Sequence, residues 1–196
     1  AAITIDLGDH ADLVDAAEDA LDAALEVAGP GVHTGEIGRA IEDTIEEGGF
    51  NPVVNLSGHG LAEYDAHTGP TIPNRGVDTG VELEVGDVIA IEPFATDGRG
   101  TVSEGQKTEI YSLQNERSVR NRKARELLET VVERYDRLPF AARWFDGGRT
   151  DMTINRLTQQ EVLQSYPVLK GEAGSLVSQA EDTMIVTEDG VEITTN

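Results

Sequence analysis

The stretch Val88-Ile89-Ala90-Ile91-Glu92 most constrains what this chain can fold into. Four consecutive apolar residues, too few for a helix and bounded by Gly86-Asp87 and Pro93-Phe94, read as a buried central strand over 87–94. Side chains alternate across a strand, so Val88, Ala90 and Glu92 share one face while Ile89 and Ile91 share the other. Glu92 is thus projected from apolar surroundings, where a carboxylate is costly unless it meets a metal or a cation. A buried salt bridge is the plainer alternative.

Glu181 repeats the arrangement, with Thr183 and Ile185 on its face of a second strand and Met184 and Val186 on the other. Taken alone it could be no more than a charge at a strand edge. His59, between Gly58 and Gly60, is one of only four histidines. Flanking glycines leave backbone room for an ion or ligand to approach, although a hydrogen-bonded loop histidine would look the same. His67 follows eight residues later, ahead of Gly69-Pro70, where a simple turn residue could also stand. Two histidines and two strand-borne glutamates together point to a metal with a base beside it.

Composition narrows the chemistry. With no cysteine in 196 residues there are no disulfides, thiolate ligands or thiol nucleophiles, so any metal site is built from nitrogen and oxygen donors. The formal charge of -22 and a pI near 4.3 accompany clear apolar periodicity, which argues for folding rather than acidic disorder. Lysine occurs only at positions 107, 123 and 170, and arginine supplies most of the positive charge. Dense Asp and Glu with few lysines reads as adaptation to high salt, where screening relieves self-repulsion. The same balance argues against nucleic acid, DNA included, as a partner. No apolar run approaches the roughly 20 residues that span a bilayer, and the start lacks a signal-peptide pattern, so a cytoplasmic protein without a membrane partner is expected.

Along the chain, 1–6 alternates as a short strand, and 11–27 carries an apolar stripe of Leu13, Val14, Ala17, Leu21, Ala24 and Leu25 that reads as a helix. Thr34 is placed to cap a second helix with Ile37, Ile41 and Ile45 on one side, stopped by Gly48-Gly49. Val53, Val54 and Leu56 predict a strand leading to Gly58, turn-rich sequence fills 70–80, and 106–113 reads as a further strand. Charged helices are expected over 117–135 and 151–165. A closing hairpin should pair 181–187 with 191–195 across Glu188-Asp189-Gly190.

The run from Asn55 to Asn74, with Ser57-Gly58-His59-Gly60 and Ala66-His67-Thr68-Gly69-Pro70, closely resembles the signature of type II methionine aminopeptidases, particularly archaeal ones. So does the run from Glu84 to Gly98 around Glu92. The likeness continues through Leu138-Pro139-Phe140, Arg143-Trp144, the segment from Tyr166 to Leu169, and Gln179-Ala180-Glu181.

The resemblance implies an α/β pita-bread aminopeptidase fold in which 1–112 and 166–196 form the catalytic domain and 113–165 a helical insertion typical of type II enzymes. It further implies hydrolytic removal of the initiator methionine, with N-terminal Met peptides of nascent proteins as substrates, the ribosome as a candidate contact, and a monomer when full length. Two divalent ions (Co, Mn, Fe or Zn) would activate a water, with His59, Glu92 and Glu181 among their ligands. Glu92 would also act as general base, and His67 would contact the scissile peptide. Ala66, Phe94 and Tyr166 fall where the family lines its methionine pocket.

Two departures stand out. The family's two aspartate ligands lie upstream of a strand like 1–6 and are not in this sequence, so the resemblance is to an enzyme lacking its N-terminal portion. Around Glu181 this chain has Ala180 and Asp182 where the family usually has an aromatic and a histidine. The competing expectations are a non-catalytic binding protein of the same fold and a proline-directed aminopeptidase or dipeptidase.

Overall fold

A computed structural model describes residues 1–145 and 150–195. In chain order the elements are α1 (Ala11–Val27), α2 (Thr34–Glu47), β1 (Asn51–Pro52), β2 (Ser57–Ala62), β3 (Asp65–Pro73), β4 (Val88–Ile91), β5 (Phe94–Thr96) and β6 (Ser103–Leu113). There follow α3 (Arg122–Arg134), β7 (Phe140–Ala141), a short 3-10 turn over Ala142–Trp144, α4 (Thr150–Gln159), β8 (Leu163–Lys170), β9 (Val177–Gln179), β10 (Asp182–Thr187) and β11 (Gly190–Ile193). Two compact units result, one of 1–62, 67–103 and 171–196, the other of 63–66 and 104–170. Among the described residues no helix is long and apolar enough to cross a membrane.

The first unit is built on a five-stranded sheet in the order β11-β10-β4-β2-β3, with a smaller sheet β1-β5-β9 beside it. α1 presents Leu13, Ala16, Ala17, Ala20, Leu21 and Ala24, whose small side chains allow the close approach of α2 and its buried Ile37, Ile41 and Ile45. Both helices share one core with Ile72, Ile89, Ile91, Met184 and Val186. Burying each of these large aliphatic side chains stabilises by about 1.5–3 kcal/mol, so this face of the sheet anchors the unit.

The expected strand over 87–94 is interrupted. β4 ends at Ile91, and β5 resumes at Phe94 in the smaller sheet, because Pro93 has no N–H to offer the ladder. Glu92 therefore lies at the point where the chain leaves one sheet for the other. The strand expected over 1–6 is reduced to one bridge, Ala2 to Glu181. Beyond it, the Thr4 hydroxyl exchanges both bonds with the backbone of Gln179, which replaces the next rung.

Other local expectations shift for identifiable reasons. His33, not Thr34, is the cap of α2, in a reciprocal capping box with Glu36. The strand expected through Val53 and Leu56 is a turn, with Leu56 N–H donating to the Val53 carbonyl, between β1 and β2. In the stretch expected to be turns, β3 persists to Pro73. α3 starts only at Arg122, because the Asn121 side chain accepts the Ala124 N–H and caps it there. α4 stops at Gln159; Glu161 adopts φ of 55°, and Leu163 already belongs to β8. The closing hairpin pairs Met184 with Ile193 and Thr187 with Gly190, and the φ of 140° at Gly190 suits a residue without Cβ.

The second unit pairs β7-β6-β8 and has its own core of Tyr111, Leu113, Leu127, Val131, Phe140, Ile154 and Leu157. Tyr135 stacks between Phe140 and Trp144, at centroid distances of 5.8 and 5.5 Å.

Candidate metal centre

Strand register brings the candidate residues together. His59 on β2 and Thr183 on β10 both sit opposite Ala90 on the central β4. Asp182 sits opposite Ile91, so one step further the same antiparallel register sets Glu181 against Glu92. His59, Ala90, Thr183, Glu92 and Glu181 thus share the face turned away from the isoleucine core. The glycines beside His59 are explained differently from the expectation of room for a ligand. A Cβ on Gly58 would collide with the carbonyl oxygen of Ala90, and one on Gly60 with that of Gly69. Neighbouring strands, not a ligand, fill that space.

The side chains of His59, Glu92 and Glu181 are 20%, 14% and 21% exposed. His59 Nε2 stands 3.4 Å from Glu92 Oε1, and its Nδ1 lies 3.0 Å from the Gly60 carbonyl oxygen, which favours the tautomer that leaves Nε2 free to accept or ligate. The His67 ring, on β3, lies 4.4 Å from the His59 ring, tilted by 56°. Gln179 Nε2 donates to Glu92 Oε2 at 3.2 Å and to Glu181 Oε2 at 3.4 Å. The Ala1 amine is 3.6 Å from Glu181 Oε1.

Burial, and then the negative charge of Glu181, push the Glu92 carboxyl up to about 7. Neither carboxylate pairs with a lysine or arginine among the described residues. Two close carboxylates on a largely buried face, an imidazole nitrogen and no thiolate make a donor set that suits a divalent cation of the Mn, Fe, Co or Zn kind. The donors meet in pairs, His59 with Glu92 and Glu92 with Glu181 through Gln179. Among the described residues no three or more His, Asp or Glu side chains converge on one point.

Phe94 begins β5 in the first unit, while Ala66 on β3 and Tyr166 on β8 belong to the second. The Tyr166 hydroxyl lies 3.0 Å from Ser112 Oγ. Gln179 is named in the run Gln179-Ala180-Glu181, but the sequence alone assigns it no role. It stands two positions before Glu181, so alternation alone places it on the glutamate's side of the chain, and that was the available signal.

A mixed α/β fold carrying histidine and carboxylates on one face of its main sheet matches a known family. The chain belongs to metallopeptidase family M24, whose pattern it follows over residues 1–188, and that family implies use of a divalent metal. Its relatives include the methionine aminopeptidase of Archaeoglobus fulgidus, 53% identical over 194 residues, covering 99% of this chain and 66% of the relative. The methionine aminopeptidase of Methanocaldococcus jannaschii is 43% identical over 196 residues, covering 99% of this chain and 67% of the relative. The chain thus spans about two thirds of the length of these curated relatives. The pita-bread fold also appears in two solved structures. That of methionine aminopeptidase from Rickettsia prowazekii has a TM-score of 0.57 at 23% identity, covering 92% of this chain and 50% of that one. That of a thermophilic Arx1 has a TM-score of 0.81 at 18% identity, covering 95% of this chain and 57% of that one.

Proposed function

We propose that this chain is part of a type II methionine aminopeptidase that removes the initiator methionine from nascent proteins in a saline cytoplasm. The observation that supports this best is the meeting of His59, Glu92 and Glu181 on one sheet face, in a chain 53% identical to a relative of that name. His59, Glu92 and Glu181 would hold the metal, and a pair of bound divalent cations supplies Lewis acidity that brings the pKa of water towards neutrality. The Glu92 carboxylate takes the proton of the water attacking the methionine carbonyl carbon. It returns that proton to the departing amine nitrogen as the C–N bond breaks. His67 donates to the carbonyl oxygen as negative charge develops there.

The family resemblance assigns substrate binding to Ala66, Phe94 and Tyr166, and residues 113–165, of which 146–149 lie outside the described residues, form the type II insertion. The full-length enzyme acts as a monomer, with the ribosome as the setting in which it meets its substrates. Relatives at 43–53% identity bearing one name favour this reading over a proline-directed peptidase or a non-catalytic binder. The test is release of free methionine from a Met-Ala-Ser peptide by the full-length gene product in molar KCl with Mn or Co. Release that vanishes with Glu92→Gln supports the reading, and a folded, metal-replete protein that releases none overturns it.

A further inference from the structure

The overall charge conceals a segregation. Residues 117–156 hold ten of the chain's 15 Lys and Arg but only six of its 37 Asp and Glu, a balance of +4 that leaves the remainder at -26. Between Arg117 and Arg125 five cations fall within nine residues with no acid among them. The second unit shows where they go. Two open grooves, of about 470 and 690 Å³, meet at the start of α3 and share Asn121, Ala124 and Arg156. Arg117 and Arg120 line the first, Arg122 and Lys123 the second, and Arg156 reaches both from α4.

All five of these cations are exposed. Arg117 lies 3.9 Å from Glu161 and Arg122 2.8 Å from Glu126, whereas Arg120, Lys123 and Arg156 make no ion pair among the described residues. Exposed cations without an acidic partner, gathered along two grooves that share residues, make a local positive potential that attracts an anionic partner.

We infer that these joined grooves bind the phosphate backbone of a short stretch of RNA. Cations strung along two connected grooves match a chain of regularly spaced charges better than one small anion, which would need a single convergent pocket. Nine of the ten cations in 117–156 are arginine. A guanidinium grips phosphate oxygens with two parallel bonds and stacks on bases, which loops and ends of RNA expose. Stacking needs bases that are not already paired inside a duplex, and a membrane offers none, so an RNA loop or helix end fits best. The inference rests on residues of the second unit alone, so it stands or falls apart from the aminopeptidase reading.

The test is fluorescence anisotropy of a labelled RNA hairpin titrated with the full chain, in KCl from about 0.1 to 1 M wherever circular dichroism shows the protein folded. A long DNA duplex without loops and vesicles of phosphatidylcholine and phosphatidylglycerol are the parallel probes. RNA should bind, more weakly as salt rises. The combination Arg120→Glu, Lys123→Glu and Arg156→Glu should lower affinity at least about tenfold and flatten the logarithmic salt slope by about 2. Arg75→Glu, an exposed arginine of the first unit, should change neither, and methionine release from the tripeptide by the full-length protein should survive both sets. No RNA binding at any salt where the protein is folded overturns the inference, as does binding that survives the triple substitution. DNA bound as well as RNA, or vesicles bound in its place, assigns the surface to another partner and overturns it equally.

Discussion

The two faces of the five-stranded sheet share their strands and differ in almost everything else. On one side Ile89, Ile91, Met184 and Val186 are sealed beneath α1 and α2. On the other, the alternate residues of the same strands gather His59, Thr183, Glu92 and Glu181, partly exposed and short of cationic partners. One strand can serve both because its side chains alternate. The apolar side supplies the free energy that lets the polar side hold a carboxylate where its charge is costly.

The sharpest way to break this comparison is Glu92→Gln, which keeps the shape and removes the charge. Methionine release by the full-length protein should fall by about 10²–10⁴-fold, the usual contribution of a positioned proton-transfer group. The thermal stability of the metal-free protein near pH 7.5 should rise rather than fall. A variant that loses stability instead would mean that Glu92 supports the fold, and the division between the faces would fail.

Ile91→Ala tests the other side. Ile91 is fully buried against the helices, so truncation should cost about 2–5 kcal/mol in urea unfolding. Thr183→Ala, on the site face and partly exposed, should cost less than about 1 kcal/mol. Equal losses at the two positions would show that the faces do not divide stability from chemistry.

A titration separates them more finely. The Glu92 carboxyl, raised from 4.5 to about 7, holds its proton in the folded state over a window where the unfolded chain has released it. Its contribution to stability should therefore decline as pH climbs from about 4.5 to about 7, by roughly 3 kcal/mol, and level off above. The difference between the metal-free parent and Glu92→Gln isolates this slope from the many other acids. Parallel profiles for the two proteins would show that Glu92 carries no raised pKa.

The same contrast explains what the sequence made legible. The apolar periods of α1, the β4 run and the closing hairpin could be read directly, because alternation and helical spacing leave a pattern in the residues themselves. His59, Glu92 and Glu181 could be singled out for the same reason, as polar exceptions on apolar strands. Their approach in space depends on the register of three strands far apart in the chain, which no local pattern encodes. The break at Pro93 was visible as a proline, but the change of sheet that it marks depends on where β9 lies. Gln179 stood in the motif without a role because an amide carries no charge to look out of place.

Gln179 gives a small effect, and the most discriminating one. Its single amide nitrogen donates to both glutamates, so it bridges two groups that repel each other. Each bond favours the charged carboxylate, and the bond to Glu92 acts against the rise that burial and Glu181 impose. Gln179→Ala should therefore push the Glu92 titration higher still, visible in the carbon NMR shift of its carboxyl group. Stability above pH 7 should fall by about 1–3 kcal/mol, the range for losing hydrogen bonds to a charged group. Gln179→Glu would set a third acid between the two and should raise the titration further, whereas loss of packing alone would move stability in both variants and leave the Glu92 midpoint where it stands.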